Sequence, residues 1–392
     1  MDPRRNPFAP GAGTPPPELA GRDGLRERVA IALDRVRAGR AAQSVILYGL
    51  RGVGKTVLLA AMRRDAEASG HAVIRVEAPE GRSLPAVLAP ALRTALLRID
   101  RLKGVGDKAR RALSALASFV RVSASYGDIA IAIEHEGEPG LADSGDLEAD
   151  LIDLVGALGE AARERGTAAV LFVDELQYVP EEQLAALIVA LHAANQNQLP
   201  VTLVGAGLPQ LLGQMGRAKS YAERLFAFEP IGALDRQAAD VALRNPIEEE
   251  EAAILPAAVE AIYAVTRGYA YFLQEWGKQC WDVADRSPIT AEHVRAAEAV
   301  AVAALDQSFF RVRFDRLTPA EKRYMRAMAE LGEGPHRSGE IAGRLGVKVT
   351  SVAPIRNALI AKGMLYSPDH GDTAFTVPMF DAFMRRIMPE MP

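Results

Sequence analysis

Short apolar runs alternate with amphipathic stretches through the first 230 residues of the chain. The stretch from Gly21 to Arg37 repeats apolar residues every three or four positions, which predicts a helix. Runs of five or six mostly apolar residues predict buried strands. Strands that alternate with helices favour a parallel sheet with helices on both faces, so we predict an α/β fold. The predicted strands are 44–48, 71–76, 168–173 and 201–205, and further helical segments span 84–116.

A different pattern separates these helical segments from the strand at 168–173. Residues 119–123 and 129–133 alternate with a period of two around the turn-forming segment 125–128. This predicts a β-hairpin insertion at about 119–134. The hairpin would either extend the edge of the sheet or present a surface to a partner, and we favour the structural role.

Strand patterns stop near residue 233, and helical patterns follow at 235–243, 256–266, 271–285 and 291–310. A third segment begins where Thr318, Pro319 and Glu321 form a helix-start signature. Two more helices, at 338–345 and 350–362, and two short strands around residues 369–371 then predict a winged helix-turn-helix. Six prolines in residues 1–20 predict an extended arm or a disordered tail. The predicted divisions are an arm at 1–20, an α/β domain at 21–232, a helical lid at 233–312 and a winged helix at 313–392.

A glycine-rich loop directly follows the first predicted strand and precedes a helix. Its spacing lets main-chain N–H groups converge on phosphate oxygens, while the lysine reaches the outer phosphates and the threonine hydroxyl ligates magnesium. The following helix directs its positive dipole end at the same anion. We therefore predict that the loop binds ATP with Mg²⁺. The loop comprises Gly49, Leu50, Arg51, Gly52, Val53, Gly54, Lys55 and Thr56, with Val57 next in the helix.

A second chemical feature is the acidic pair at the end of the strand 168–173. Ligands of open α/β sheets lie beyond the carboxyl ends of the strands, so both acids should face the phosphates. We expect Asp174 to hold Mg²⁺, directly or through its water shell, and Glu175 to polarise the attacking water. The alternative is that the pair only ends a strand or begins the next helix.

The composition excludes several classes of protein but does not identify a partner. The 392 residues carry a net charge of −4, so contact with nucleic acid would need a local basic patch. One cysteine excludes an internal disulfide framework, and no apolar stretch is long enough to cross a membrane. We expect a cytoplasmic protein that does not contact a membrane. The six histidines are scattered, so Mg²⁺ brought by the nucleotide is the only metal expected.

Taken together, residues 44–60, 168–179 and 200–231 resemble those of AAA+/STAND-like P-loop ATPases, especially bacterial and archaeal proteins related to origin-recognition initiators. The resemblance implies an α/β nucleotide domain, a helical lid and a winged helix, in that order. It also implies a second set of nucleotide contacts. These are Thr202 as the sensor of the terminal phosphate, Arg224 as an arginine that reaches the nucleotide of a neighbouring subunit, Arg267 as a lid contact to the terminal phosphate, and Arg22 as a base or phosphate contact.

The chain departs from this family at two positions. The strand ending near residue 205 has no asparagine at its end, so the sensor is either Thr202 or absent, and Ala270 stands where STAND relatives have the proline of Gly-x-Pro. For Arg224, an ordinary surface ion pair with Glu223 is the alternative to the intersubunit role.

The predicted recognition helix carries basic and hydroxyl residues, which permits contact with DNA phosphates and base edges in a major groove. The alternative is a winged helix that contacts only proteins. We predict core positions at Leu345, Val347, Val352, Ile355, Leu359 and Ile360. The candidate double-stranded DNA contacts are Lys348, Thr350, Ser351, Arg356 and Lys362.

These features favour an ATPase whose nucleotide state, ATP or ADP, controls a DNA-bound or partner-bound assembly. A slow nucleotide switch that acts on a protein partner or through self-association is the first alternative. A winged-helix transcription regulator with a degenerate ATPase is the second. A small-molecule P-loop kinase ranks last, because a kinase has no need of the long helical C-terminal half.

Overall fold

The computed structural model describes residues 1–11, 13–78, 80–101, 107–123, 137–369 and 371–390. The chain divides into two compact units. We call residues 22–49 and 55–231 the sheet unit. We call residues 1–21, 50–54 and 232–392 the helical unit.

The sheet unit is built on five parallel strands in the order β2-β3-β4-β1-β5, as predicted for an α/β fold. β3 and β4 are buried along their whole length, because strands covered by helices on both faces need continuous apolar runs. The sequence pattern does not predict β5, a short strand with half-buried side chains at the lateral edge of the sheet. The strands are β1 Ser44–Tyr48, β2 Ala72–Glu77, β3 Ala169–Asp174, β4 Val201–Gly207 and β5 Phe226–Pro230.

Helices connect these strands and cover the sheet. The predicted face of α1 is buried, since Leu25, Val29, Leu33 and Val36 are all inaccessible. The helices are α1 Asp23–Arg37, α2 Lys55–Ala68, α3 Leu84–Arg101, α4 Asp107–Ser123, α5 Leu147–Glu164, α6 Glu181–Gln196, α7 Leu211–Ala218 and α8 Ala222–Leu225.

The predicted β-hairpin at 119–134 is wrong in its first half, because α4 continues to Ser123. Leu113, Leu116 and Phe119 follow at helical spacing, and all three are buried in the core of the sheet unit. This packing outweighs the strand preference of the β-branched residues Val120 and Val122. The second half, 129–133, lies outside the described residues.

The helical unit contains four long helices followed by a mixed segment. Four helices, α14 to α17, and a small antiparallel sheet of order β6-β8-β7 make up that segment, and α17 packs on α14. Thr318 and Glu321 form the predicted capping box. The sequence pattern predicts neither β6 nor α17. The elements are α9 Arg236–Glu249, α10 Pro256–Thr266, α11 Ala270–Val283, α12 Ala291–Leu305, α13 Arg311–Phe314, α14 Pro319–Leu331, β6 His336–Arg337, α15 Ser338–Leu345, α16 Val349–Ala361, β7 Leu365–Tyr366, β8 Asp372–Phe375 and α17 Phe380–Ile387.

The proline-rich start of the chain begins with a short 3₁₀ helix, Pro3–Arg5, and part of it is packed. Phe8 is buried, and its ring lies directly against Gly277 of α11. The indole N–H of Trp281 donates to the carbonyl oxygen of Asp2 at 2.9 Å. One large apolar side chain and one hydrogen bond to the main chain therefore hold residues 2 and 8 of the predicted arm against α11.

None of the helices in the described parts of the chain combines the length and the apolar character that a membrane span requires.

Candidate nucleotide-binding site

The phosphate loop starts at the carboxyl end of β1 and runs into α2. The N–H of Gly49 donates to the carbonyl oxygen of Gly207 at 3.2 Å, which ties the start of the loop to the end of β4. Gly52 and Gly54 have φ angles of +82° and +93°, a region that favours glycine because a Cβ is strained there. Two left-handed glycines before the N-terminus of α2 give the main-chain turn that a phosphate-binding loop requires.

Lys55 is the first residue of α2, and its side chain is buried. Its Nζ donates to the carbonyl oxygen of Gly49 at 2.9 Å. The ammonium group therefore lies over its own loop, where an anionic phosphate would be its natural counter-ion.

Asp174 ends β3 with a buried carboxylate. Burial raises the pKa of this carboxyl above its usual value, and the neighbouring Glu175 charge adds to the rise. A hydrogen bond from Thr56, the N–H of Glu175 and the positive charge of Lys55 act in the opposite direction. The structure thus brings together Lys55, Thr56 and Asp174, three of the predicted site residues.

This donor set fits a magnesium ion. A carboxylate and a hydroxyl are hard oxygen ligands, and Mg²⁺ in nucleotide sites takes one or two protein oxygens together with phosphate oxygens and water. In the ranges that the structure describes, no group of three or more His, Cys, Asp and Glu side chains is placed to hold a metal by itself. A metal held by Thr56 and Asp174 would therefore depend on the nucleotide for its remaining ligands.

Glu175 directly follows β3 in a left-handed conformation with a φ of +54°. This is a strained geometry for a glutamate, and such strain is common at functional sites. Its carboxylate accepts a hydrogen bond from the side-chain amide of Gln177. Gln177 is not among the predicted site residues, although its amide stands out in the otherwise largely apolar turn from Leu176 to Val179.

The assignment of Thr202 as a sensor is wrong because of its position in the sheet. Thr202 is near the start of β4, and its hydroxyl lies 3.2 Å from the Ser44 hydroxyl at the start of β1. The phosphate loop leaves the other end of β1. Gly207 lies five positions further along the same strand, at a distance of about 17 Å from Thr202.

Arg224 and Thr202 both lie at the end of the sheet where strands β1 and β4 begin. Arg224 ends α8 directly before β5, and its carbonyl oxygen accepts from the Gln43 side chain at 3.0 Å, next to the start of β1. The phosphate loop of the same chain follows the other end of β1, where the strand finishes. The side chain is exposed, and among the described residues no ion pair with Glu223 or another acid is formed.

The other two predicted arginine contacts are placed differently. The Arg22 carbonyl oxygen accepts from the Arg26 N–H at 3.0 Å, at the first turn of α1. In the helical unit, the Arg267 guanidinium pairs with the Glu333 carboxylate on the surface. Arg267 therefore has a carboxylate partner in this structure.

The tip of the phosphate loop, residues 50–54, packs within the helical unit. The Tyr269 hydroxyl donates to the Arg51 carbonyl oxygen, and the Tyr271 N–H donates to the Gly52 carbonyl oxygen at 3.1 Å. Burial raises the pKa of Tyr269 far above its usual value, so the hydroxyl stays protonated as a donor. The loop tip is thus held by the turn that begins α11.

Two of the five candidate DNA contacts are engaged inside the helical unit. Arg356 donates to the Thr373 hydroxyl at 2.7 Å, and Lys362 pairs with the buried Glu321 carboxylate at 2.8 Å. Lys348, Thr350 and Ser351 are exposed at the start of α16. Val347, which was predicted to be a core residue, is 47% exposed beside them. The turn before the helix turns its side chain outward, whereas Val352 and Leu359 are buried as predicted.

A parallel sheet of this order, with a glycine-rich loop after β1 and an acidic pair after β3, defines an α/β fold of the P-loop nucleotide-binding class. Residues 18–204 match the family model of the AAA ATPase domain. Residues 307–384 match the model of a domain of unknown function, DUF8462. No curated protein matches the chain.

Solved structures with a similar architecture come from archaea and bacteria. The Walker-type ATPase PABY2304 of Pyrococcus abyssi is 14% identical, with a TM-score of 0.55 over 95% of this chain and 97% of that chain. The Holliday junction branch migration motor RuvB of Thermotoga maritima is 15% identical, with a TM-score of 0.45 over 91% and 92%. The Orc1 protein of Aeropyrum pernix in complex with DNA is 18% identical, with a TM-score of 0.46 over 95% and 94%. At 14% identity, the likeness to the Pyrococcus protein establishes a shared fold.

Proposed function

We propose that the chain is a Mg²⁺-dependent ATPase whose nucleotide state controls a bound assembly. The observation that carries the proposal is the grouping of Lys55, Thr56 and Asp174 beside a loop with two left-handed glycines, in the segment that matches the AAA ATPase domain. A buried carboxylate with a raised pKa that shares its surroundings with a lysine and a hydroxyl is typical of a functional site.

Each of these residues would have a separate role in hydrolysis. The Lys55 ammonium would leave the Gly49 carbonyl oxygen and bind the outer phosphates of ATP. Thr56 and Asp174 would hold Mg²⁺, which supplies charge neutralisation at the phosphate oxygens when bound. Glu175 would accept a hydrogen bond from the attacking water and orient it toward the terminal phosphate.

Within the helical unit, we propose that residues 233–312 form a lid and that residues 313–392 form a winged helix. Three helices and a three-stranded antiparallel sheet support the second assignment. The exposed Lys348, Thr350 and Ser351 would contact duplex DNA. Because Arg356 and Lys362 already have partners, any DNA contact would depend on fewer cations than the sequence indicates.

A slow nucleotide switch that acts on a protein partner is the second candidate. One observation favours it: Ala206, Gly207 and Leu208 at the end of β4 offer no polar side chain to sense the terminal phosphate. In that case ATP binding itself, rather than turnover, would change the state of the assembly.

The test is ATP turnover by the purified full chain and by its Lys55→Ala and Glu175→Gln variants, each with and without duplex DNA. Lys108→Ala is a matched control, because the half-exposed Lys108 side chain forms only a 3.9 Å ion pair with Glu160. We expect Lys55→Ala to lose nucleotide binding, and Glu175→Gln to bind ATP but lose turnover. Turnover that rises with DNA would support a DNA-coupled ATPase.

Two other results would change the assignment. ATP binding by the wild-type chain without appreciable turnover would favour the slow switch. Unchanged nucleotide affinity in Lys55→Ala would overturn both candidates.

A further inference from the structure

The side chain of Gln177 links the Glu175 carboxylate to the end of β4. Its Nε2 donates to the Glu175 carboxylate, and its Oε1 accepts from the Leu208 N–H at 3.0 Å. The two hydrogen bonds use opposite ends of one amide, so the orientation of the amide is fixed by both partners. Gln177 itself is only 6% exposed.

The surrounding chain leaves room for this side chain and holds its backbone. A Cβ added to Gly207 would lie 2.9 Å from the Gln177 Oε1, so the absence of a side chain at 207 admits the amide. The carbonyl oxygen of Gln177 accepts from the Gln214 side chain of α7 at 3.2 Å. Gln177 is thus held by the 3₁₀ turn after β3, by the end of β4 and by α7.

We propose that Gln177 is the positioning residue of the water-activating Glu175 and provides the polar group that the end of β4 lacks. A carboxylate that acts on water must be held within hydrogen-bond reach of it, and small misplacements reduce catalysis strongly. Glu175 lies in a strained left-handed conformation, and a directed amide donor opposes rotation of its side chain. Leu208 N–H anchors the other end of that amide, so movement at the end of β4 would be transmitted to Glu175.

A structural role for Gln177 makes a different prediction. If the amide only satisfies the Leu208 N–H, its loss would lower stability and leave the chemical step of the remaining folded protein unchanged. If it positions Glu175, its loss would lower kcat and leave nucleotide affinity almost unchanged. The inference rests on the proposed ATPase function, and the experiment therefore includes the wild-type chain and Glu175→Gln.

The experiment measures kcat, KM and nucleotide affinity for Gln177→Leu and Gln177→Glu. The leucine removes both hydrogen bonds, whereas the nearly isosteric glutamate keeps the acceptor and replaces the donor by a second carboxylate. We expect kcat to fall about 10-fold to 100-fold in both, with KM changed less than about threefold. Gln183→Leu is a matched control, because Gln183 accepts from the Leu84 N–H at 2.6 Å. It should lower stability and leave kcat unchanged.

A second arm tests whether Gln177 acts through Glu175. In single-turnover measurements with excess protein, Gln177→Glu added to Glu175→Gln should cause no further loss, since residues that act as a unit are non-additive. An additive further loss, or wild-type kcat in both Gln177 variants, would overturn the positioning role alone. Absence of Glu175-dependent turnover in the wild-type chain would overturn the proposed ATPase function, and the positioning role with it.

Discussion

The main-chain N–H of Arg51 donates a hydrogen bond of 3.0 Å to the carbonyl oxygen of Thr376. The Arg51 side chain also donates to the Gly363 carbonyl oxygen at 3.2 Å. The tip of the phosphate loop is therefore hydrogen-bonded to the two ends of the β7–β8 region of the helical unit. Any rearrangement of residues 50–54 must break or move these bonds.

The two left-handed glycines of the loop should respond differently to alanine. Both Gly52→Ala and Gly54→Ala incur conformational strain of about 1–2 kcal/mol. A Cβ at Gly52 would also meet Tyr269, Tyr271 and Phe309 at 3.0, 3.3 and 3.4 Å, whereas a Cβ at Gly54 meets nothing within 4 Å. We expect Gly52→Ala to lower the free energy of unfolding by about 1 kcal/mol or more beyond Gly54→Ala. Denaturant unfolding of both variants checks this, and equal losses would contradict the packing of the loop tip.

Asp174→Asn should stabilise the nucleotide-free and magnesium-free protein at neutral pH. Burial raises the pKa of Asp174 in the folded state, so the folded protein binds more protons than the unfolded chain. The carboxylate therefore costs stability above the folded pKa, and this cost disappears as the pH falls toward the unfolded value of 3.8. We expect a Tm gain of about 2 °C or more at pH 7.5.

The pH dependence of the Tm gain distinguishes the removal of a buried charge from a general improvement in packing. The Tm gain of Asp174→Asn should shrink steadily as the pH is lowered toward 4. Glu27→Gln, at an exposed carboxylate of α1, serves as the control and should leave Tm almost unchanged at both pH values. A gain for Asp174→Asn that does not depend on pH would rule out the buried charge as its cause.

Substitution of Arg356 should lower folding stability, whereas substitution of Lys348 should leave stability almost unchanged and affect DNA contact. The Arg356 guanidinium donates to the Thr373 and Ser367 hydroxyls at 2.7 and 2.8 Å and to the Asp372 carbonyl oxygen at 2.9 Å. We expect Arg356→Ala to lower the free energy of unfolding by about 1.5–3 kcal/mol, the range for hydrogen bonds to a charged group. Lys348→Ala, at an exposed position, should change it by less than about 0.5 kcal/mol.

If residues 313–392 bind duplex DNA, Lys348→Ala should weaken that binding across sequences. It should also reduce the slope of log affinity against log salt by about one, as for loss of one phosphate contact. Binding isotherms at several salt concentrations measure both quantities. An unchanged slope would remove Lys348 from the interface.

Phe8 and Gly277 should be energetically coupled. Phe8→Ala removes a buried aromatic ring and should cost about 3–5 kcal/mol. Gly277→Ala should destabilise the wild-type chain, since its Cβ would lie 2.8 Å from the Phe8 ring. In the Phe8→Ala background the ring is gone, and the same change within α11 should instead stabilise by up to about 1 kcal/mol through helix propensity. A double-mutant cycle by denaturant unfolding measures the change of sign, and additive effects would mean that the arm is not packed on α11 in solution.

Arg224 should act on a neighbouring copy of the chain if it acts on nucleotide at all. It lies where β1 begins, whereas its own phosphate loop follows the end of β1. Its side chain is exposed. We expect Arg224→Ala to lower turnover strongly, because an arginine supplied in trans contributes about 10³-fold or more to phosphoryl transfer. Arg40→Ala, at another exposed arginine, is the control.

Mixing two inactive variants tests the direction of this contact. Glu175→Gln subunits keep Arg224, and Arg224→Ala subunits keep Glu175. A mixture should regain part of the turnover, since one copy supplies the arginine and the other supplies the glutamate. No recovery, together with turnover independent of protein concentration, would contradict an intersubunit role.

The chain by itself determined the features that depend on neighbours close in sequence. The phosphate loop, the buried strand that ends at Asp174 and the capped helix at Pro319 each follow from the spacing of a few residues, because turn geometry, strand burial and helix capping are local. The structure has all three where the pattern predicts them.

Tertiary structure alone decided which end of the sheet each residue occupies and which partners it takes. Thr202 lies away from the phosphate loop because parallel strands run in one direction, and the strand pairing joins residues more than 150 positions apart. Val120 is helical because Phe119 packs in the core, and Gln177 is linked to Leu208 only because β4 ends beside the turn after β3. Each outcome depends on contacts between distant segments, which composition and periodicity do not encode.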